Sequence, residues 1–431
     1  MASSSNRKEY IGIIYRGPKG PLFLVIIMKA FNYALERRVS KIIYFDNGAT
    51  SFPKPRGMVT AMEDCMLKYC GNPGRSGHSM SMKTGEEVYH ARRVIAELFN
   101  ISEAERIIFT KNTTEALNMG LQGFLERGDH VITTSMEHNS VLRPLKAMEK
   151  RGVSHTIING NCLGEIKACE IEKAIKNNTK LIVVTAASNV TGTKMPVKEI
   201  GKVACRHNIK FMVDGAQGAG TMDLNVRDCN ISMLAVPGHK GLLGPLGTGF
   251  LYVSPDTKIK PSQQGGTGTE SKSRVQPEEF PEGFESGTIN APGIIGLGYS
   301  AGFVKKIGTD VIRDYEEELI CYLDQQLLNM DFVSLYGPDS ARKTGISLIN
   351  IDGMEAEEVT SILNSKYNIA VRGGFHCAGL AHKTVGTWDT GGVRISVGPF
   401  NTRREIEKLV DAIWEIGRER RQSFSKRVDK I

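Results

Sequence analysis

The sequence predicts an α/β protein: a mainly parallel sheet with helices on both faces, plus a smaller α+β domain. Three observations lead there. Short runs rich in β-branched residues alternate with stretches of helical period from Lys41 onward, the pattern of βαβ units. A polar, glycine-rich stretch, 262–274 (SQQGGTGTESKSR), then interrupts the alternation. Beyond it a long helical region leads into short strand-like pieces and a final helix. A chain of 431 residues, at about 150 per domain, accommodates two or three such units.

In chain order, strands are expected at 106–110 (RIIFT), 130–133 (HVIT), 181–185 (LIVVT), 210–214 (KFMVD) and 249–253 (GFLYV). Helices are expected at 84–99, 113–126, 141–150 and 197–207, and a long helical region over 294–329. Strand-like pieces follow at 347–351, 369–372 and 393–397, with the last helix starting near Thr402. The resulting division is 1–41 as an N-terminal extension, 42–57 as a segment joining the small domain, 58–303 as the large domain, and 304–431 as the small domain with a basic tail. Functional groups of such a sheet are expected at the carboxyl ends of its strands.

Composition excludes several classes. Apolar residues make up 40% and charged residues 24%, which is globular rather than disordered or collagen-like. The net charge of +8 would suggest a polyanionic partner, but it resides in the ends. Residues 1–41 carry +6 and 418–431 carry +4, leaving −2 on the stretch between. With no zinc-finger spacing, RNA-recognition motif or aromatic–basic stripe, no nucleic acid is expected as partner. The apolar run Leu22–Met28 is too short to span a bilayer and no small-residue cleavage site follows it. Either an extension packed on the body or a start codon placed too far upstream, with Met28 as a later start, accounts for it, and no membrane association is expected. The eight cysteines lack CxxC pairs and read as reduced thiols of a cytoplasmic protein. His376, Cys377 and His382 alone lack the second ligand pair of a zinc site, so no metal is expected.

Four segments carry chemistry. In VPGHKGLLGPLGTG (236–249), Lys240 follows His239 in a glycine-rich loop whose backbone can approach a ligand closely. An exposed loop lysine is ordinarily a solvated charge, but KFMVDGAQ (210–217) delivers Asp214 at a strand end with Gln217 three residues on. An acid to pair with a cationic ring nitrogen, and a lysine for a Schiff base, is the pattern expected for pyridoxal 5'-phosphate. In FTKNTTEAL (109–117), Thr113 and Thr114 open a helix whose free N–H groups suit a phosphate, though simple N-capping is the plain alternative. His138 in MEHNSVL (136–142) and Asn189 in ASNVTGT (187–193) each follow a strand end and are positioned to reach the same crevice.

Together with FDNGATSFPKP (45–55), GNPGRSGHSMS (71–81), FESGT (284–288), VRGGFHCAG (371–379) and GGVRISVG (391–398), these motifs, spread in order over about 42–418, resemble the cysteine desulfurases. More broadly the chain is similar to the class V aminotransferase branch of the fold-type I pyridoxal-phosphate enzymes. The His-Cys-Ala after VRxG resembles the type II, Suf-like and selenocysteine-lyase-like members.

That resemblance implies a role for each matching residue. Lys240 would hold the cofactor covalently, Asp214 would pair with its ring nitrogen, and Gln217 and Asn189 would lie at its phenolic oxygen. His138 would stack on the ring. Thr113, Thr114 and His239 would bind the phosphate, and Thr288 would reach the phosphate of a neighbouring subunit in a homodimer. Arg394 would clamp the substrate carboxylate, with Arg372, Asn189 and His78 also on the substrate side. Cys377 would accept sulfur from L-cysteine as a persulfide, its ionisation favoured by Arg372 or His376, and pass it to an acceptor protein or thiol, for example for iron–sulfur cluster assembly. Pro237 departs from the pattern: many relatives carry a phosphate-binding serine three residues before the lysine. The alternatives are a selenocysteine lyase, another class V lyase or transferase, and an inactive scaffold of the same fold.

Overall fold

The computed structural model describes residues 42–74 and 76–428. The run Leu22–Met28 and the basic stretch 1–41 lie outside the described residues. The described chain opens with β1 (Ile43–Tyr44), α1 (Arg56–Asp64), a π-helical turn at Cys65–Tyr69 and α2 (Ser79–Leu98). It continues through β2 (Ile107–Thr110), α3 (Thr113–Phe124), β3 (His130–Thr134), α4 (Asn139–Met148), β4 (Ser154–Ile158) and α5 (Ala168–Lys173). Next come β5 (Thr179–Thr185), α6 (Val197–Arg206), β6 (Lys210–Asp214), β7 (Met233–Pro237) and β8 (Gly249–Val253). The remainder holds α7 (Ala291–Ile307), α8 (Thr309–Leu328), β9 (Val333–Tyr336), β10 (Ile346–Ile351), α9 (Ala356–Tyr367), β11 (Ile369–Ala370), α10 (Gly379–Thr384), β12 (Val393–Ser396) and α11 (Arg403–Val428).

Among the described residues, the main sheet has seven strands in the order β2-β8-β7-β6-β5-β3-β4. Only β8 runs against the others, so the mostly parallel sheet expected from the sequence is what forms. Its inner strands are buried on both sides and largely apolar because both faces are covered. The period of two is visible in β5: Leu181 and Val183 join the core under α3 and α4, while Ile182 and Val184 join the core on the opposite face. In β6, Phe211 and Val213 lie on one face and Met212 on the other.

Two strands of the main sheet escape the sequence reading, as do β1 and β9 outside it. Ser154–Ile158 is an edge strand, only partly buried, and lacks the apolar density of its neighbours. Met233–Pro237 is fully buried, but its proline and the glycines after it read as loop. The single long helical region is two helices, broken at Gly308, whose φ of 99° is open to glycine and strained for other residues.

A three-stranded antiparallel sheet, β12-β10-β9, packs with α8, α9 and α11 around its own core of Leu323, Ile349, Val359, Ile395, Leu409 and Ile413. The first described residues belong with it. β1 pairs in parallel with β11, Ile43 opposite Ile369, and Asp46 bridges to Ser396.

Candidate active site

The parallel strands β2, β3, β5, β6 and β7 point their carboxyl ends the same way, and the loops that leave them line a cavity of about 110 Å³. Its wall includes Thr113 and Thr114 after β2, His138 after β3, Asn189 after β5, Asp214 and Gln217 at β6, and His239 and Lys240 after β7. Residues spread over 128 positions of sequence thus meet because each follows a strand of one sheet.

Asp214 is buried, and its Oδ1 accepts the Ala216 N–H at 2.9 Å. Burial raises its pKa despite that bond, so a cation in the cavity would be stabilised beside it. The Lys240 ammonium is pushed down to about 8 by burial and then by the Arg394 guanidinium. A fraction of the neutral amine is therefore present near neutral pH.

His138 caps α4: its Nδ1 accepts the Ser140 N–H at 3.1 Å and lies 2.8 Å from Ser140 Oγ, which in turn is 2.8 Å from Thr114 Oγ1. A backbone N–H can only donate, so Nδ1 is an acceptor and the ring proton of the neutral form is on Nε2. Burial, then Lys240, lowers His138 to about 4, and the ring is neutral. His239 is held to about 4 by the same two causes.

At the start of α3, Asn112 is the cap, its side chain accepting the Glu115 N–H at 2.9 Å. Thr113 Oγ1 and His239 Nδ1 are buried without a protein partner. Two orphaned polar atoms in the cavity wall, an open helix N-terminus, a buried acid and a lysine of lowered pKa fit the phosphate, ring nitrogen and aldehyde of pyridoxal phosphate. Pro237, also in the wall, brings neither an N–H nor a hydroxyl to this group.

Arg394 of β12 is 1% exposed, and its backbone pairs with Arg372. Its Nη1 donates to the Asn189 carbonyl at 2.9 Å and its Nη2 to Asp46 Oδ1 at 2.8 Å, while Nε has no partner. Gln217 Nε2 donates to the Gly48 carbonyl at 2.9 Å, so the segment after β1 closes this side.

Cys377 is exposed and lines an adjoining recess of about 610 Å³ that shares Thr114, His138 and Ser140 with the cavity. His376 and Cys377 both have left-handed backbones, φ of 52° and 57°, a conformation costing about 1–2 kcal/mol for each non-glycine residue. Two bonds hold them: Asn189 Nδ2 to the His376 carbonyl at 2.6 Å, and Asn139 N–H to the Cys377 carbonyl at 2.8 Å.

Other residues singled out in the sequence lie outside the cavity or differ in charge state. His376 offers the thiol no positive charge: burial, reinforced by Arg394, lowers it to about 2. Its two ring nitrogens bond instead to His382 and to the Arg372 carbonyl. Among the described residues no His, Cys, Asp or Glu trio is arranged to hold a metal. His78 is exposed at the cap of α2, its Nδ1 accepting the Ser81 N–H at 3.3 Å. Thr288 is exposed beside Asn72, 3.5 Å from its Nδ2. Neither lines the cavity of its own chain.

The sequence reading passed over Asp46, Asn112, Ser140 and Glu137. Asp46 lay in a quoted motif and, as an acid after a strand end, carried a signal. Glu137 carried none beyond being next to His138. It is fully buried, its Oε1 accepting from Thr134 Oγ1 at 2.7 Å and the Thr185 N–H at 3.1 Å. Burial, with the Asp214 charge adding to it, raises its carboxyl to about 8.

Comparison with known proteins agrees with this geometry. The family model "Aminotransferase class-V" matches residues 43–409. The chain is 37% identical to a probable cysteine desulfurase of Methanothermobacter thermautotrophicus, over 87% of this chain and 94% of that one. It is 34% identical to a probable cysteine desulfurase of Pyrococcus abyssi, over 89% and 96%. The apo cysteine desulfurase of Thermococcus onnurineus NA1 superposes with a TM-score of 0.83 at 35% identity, over 88% of this chain and 95% of that one. The S-sulfonic acid form of the cysteine desulfurase CsdA of Escherichia coli gives 0.79 at 25% identity, over 90% and 98%. These matches span most of the chain and come from a family generally dependent on pyridoxal phosphate, to which the chain belongs: it is a class V aminotransferase of the cysteine desulfurase group.

Proposed function

We propose that the protein is a pyridoxal-phosphate-dependent cysteine desulfurase that converts L-cysteine to L-alanine and takes the sulfur on Cys377 as a persulfide. The observation that carries this reading is the meeting of two sets of groups. Lys240, Asp214 and His138 line one cavity, and the exposed thiol of Cys377 lines the recess that opens from it through Thr114, His138 and Ser140.

Lys240, Asp214, His138, Gln217, Thr113, Thr114 and His239 would hold the cofactor. When bound, it supplies an electron sink for the bond changes at the substrate's α-carbon. Arg394, fixed by Asn189 and Asp46, presents its guanidinium to the substrate carboxylate. Lys240, with its lowered pKa, moves a proton on and off carbon near neutral pH. The balance is simple: the substrate's C–S bond breaks, an S–S bond forms at Cys377 Sγ, and the thiol proton ends on the alanine. Arg372 and Asn189 lie on the substrate side, and His78 and Thr288 act across a subunit boundary.

The homodimer in this proposal is supported by an exposed apolar surface on neighbouring elements. Val59 of α1, Met66 and Leu67 of the π turn, and Met80 and Met82 of α2 are 47–76% exposed. Cytoplasmic residence is supported by the absence of any disulfide among the eight cysteines. Among the described residues no helix is long and apolar enough to cross a membrane. The sulfur acceptor is a protein or small thiol that reaches exposed Cys377.

The test incubates purified, cofactor-loaded protein with L-cysteine and, separately, L-selenocysteine. Alanine, sulfide or selenide, and the mass of the Cys377 peptide are measured together. Desulfuration predicts alanine from cysteine and a gain of one sulfur on Cys377, both lost in Cys377→Ala. Alanine from cysteine at the wild-type rate in Cys377→Ala overturns the persulfide step. Turnover of selenocysteine alone identifies a selenocysteine lyase instead.

A further inference from the structure

Behind Cys377 stands a chain of polar groups that the reaction itself does not require. His376 Nε2 lies 3.1 Å from the Arg372 carbonyl, and His376 Nδ1 lies 3.1 Å from His382 Nε2. His382 Nδ1 lies 2.7 Å from Thr387 Oγ1. Both histidines are buried, at 3% and 0% exposure, and their rings are within 14° of parallel.

The direction of each bond can be deduced. A carbonyl only accepts, so His376 Nε2 carries a proton and donates to Arg372. His376 is neutral, so its Nδ1 is an acceptor, and His382 Nε2 must donate to it. His382 is neutral as well, burial holding it to about 4, so its Nδ1 accepts the Thr387 hydroxyl proton. Every ring nitrogen has a partner, and all three bonds point from Thr387 toward Arg372. The titratable and charged groups that bear on His376 are Arg394, Arg372 and His382. Phe375 packs edge-on against His382, with centroids 5.3 Å apart.

The two ends of this chain are significant. Arg372 bonds by its backbone to Arg394, through Arg372 N–H to the Arg394 carbonyl at 3.2 Å and the reverse at 2.7 Å. His376 immediately precedes Cys377, and both carry left-handed backbones. The relay therefore joins the loop of the exposed thiol to the strand that carries the carboxylate-binding arginine.

We propose that His382 and Thr387 are positioning residues for the sulfur-accepting thiol: the tautomer-fixed relay Thr387–His382–His376–Arg372 holds Cys377 in register with the Arg394 side of the site. The proposal rests on the reading of Cys377 as acceptor. A misplacement of about 1 Å at a reacting atom lowers a rate by about a hundredfold, so a loss in kcat with little change in KM is the signature. His382→Leu breaks the relay. His382→Gln restores it, because the amide oxygen and nitrogen provide one acceptor and one donor about as far apart as the two ring nitrogens. Thr387→Val and Thr387→Ser form a milder pair at the far end, and they decide the matter if His382→Leu fails to fold.

The experiment uses full-length, cofactor-loaded protein. It measures kcat and KM for L-cysteine, visible absorbance for cofactor content and, without substrate, the rate at which iodoacetamide alkylates Cys377, followed by peptide mass. Expected are a kcat about 10- to 100-fold lower in His382→Leu and at least about threefold lower in Thr387→Val. KM and cofactor content stay within about twofold, the alkylation rate changes in both, and Gln and Ser return the values toward wild type. Wild-type kcat and alkylation rates in His382→Leu and Thr387→Val, with only a lower melting temperature, overturn the relay. So does failure of both Gln and Ser to rescue. If the wild type releases no alanine from cysteine, the desulfurase reading falls, and the alkylation rates by themselves decide whether the relay positions the thiol.

Discussion

The carboxylate of Asp46 stands 2.8 Å from Arg394 Nη2, so the arginine read as the substrate clamp already has a carboxylate partner within the chain. The guanidinium is almost fully buried and the acid 21% exposed. A buried guanidinium without a counter-ion is costly, so Asp46 stabilises the empty site and shares the arginine with an incoming carboxylate.

Asp46→Asn leaves the substrate as the remaining anionic partner. The free protein is expected to lose about 1–3 kcal/mol of stability, while KM for L-cysteine falls. Added L-alanine, the product, should raise the melting temperature more in the variant than in the wild type. Differential scanning fluorimetry with and without alanine, beside KM, checks both.

His138 combines two roles that substitution can separate. As the cap of α4 it contributes about 1 kcal/mol, which Ala removes and Asn retains. In the proposed role, as the ring stacked on the cofactor, it has no such substitute. His138→Asn is expected to unfold in urea at the wild-type midpoint yet lose at least about tenfold in kcat, whereas His138→Ala loses both.

Lys343, fully buried, binds Asp324 Oδ2 at 2.6 Å and donates to Ser347 Oγ at 3.1 Å, in the core beside the three-stranded sheet. Lys343→Met strands a buried carboxylate and is expected to cost about 3–5 kcal/mol. Combining it with Asp324→Leu should recover most of that loss. Chemical denaturation of the two single variants and the double variant measures the coupling.

Stability should depend on pH in two opposed windows. Burial lowers His138, His239 and His382 to about 4 and His376 to about 2, against 6.5 when unfolded. Below 6.5 the unfolded chain therefore binds more protons, and stability rises with pH through this window. Glu137 and Glu316 are raised by burial to about 8, against 4.5 when unfolded. Their contribution is fully present below 4.5 and lost as pH rises through 8. Burial lowers His130 and His155 and raises Asp214 in the same sense, so below pH 8 the cofactor-free protein is expected to be most stable near pH 6.5, with stability rising again above pH 8, where Lys54 and Lys240 are lowered to about 8. Glu316→Gln should flatten the decline between there and pH 8, as followed by thermal melts across that range.

The sheet was legible because its strands are short, apolar and separated by helices of recognisable period, as in LIVVT and KFMVD. The strand at Met233–Pro237 was not, since one proline and a following run of glycines carry the signature of a loop even when five buried residues precede it. In the site, residues that follow strand ends could be located from sequence because strand order hardly matters when all the carboxyl ends point one way. Pairings across the chain were not legible. Nothing in the sequence places Arg372 against Arg394 or His376 against His382, because these depend on the path of the connection between them. The neutral state of His376 likewise arises from burial, which the motif around Cys377 does not encode.

The pairing of β1 with β11 and the reach of Asp46 to Arg394 have a practical consequence for anyone trimming the protein. Proteolysis or truncation that removes residues through Asp46 takes away an edge strand and the counter-ion of Arg394 together, although Lys240 and Cys377 lie far downstream. Activity lost after such trimming would mark damage to substrate recognition, and a cleavable tag is best placed well ahead of Ile43.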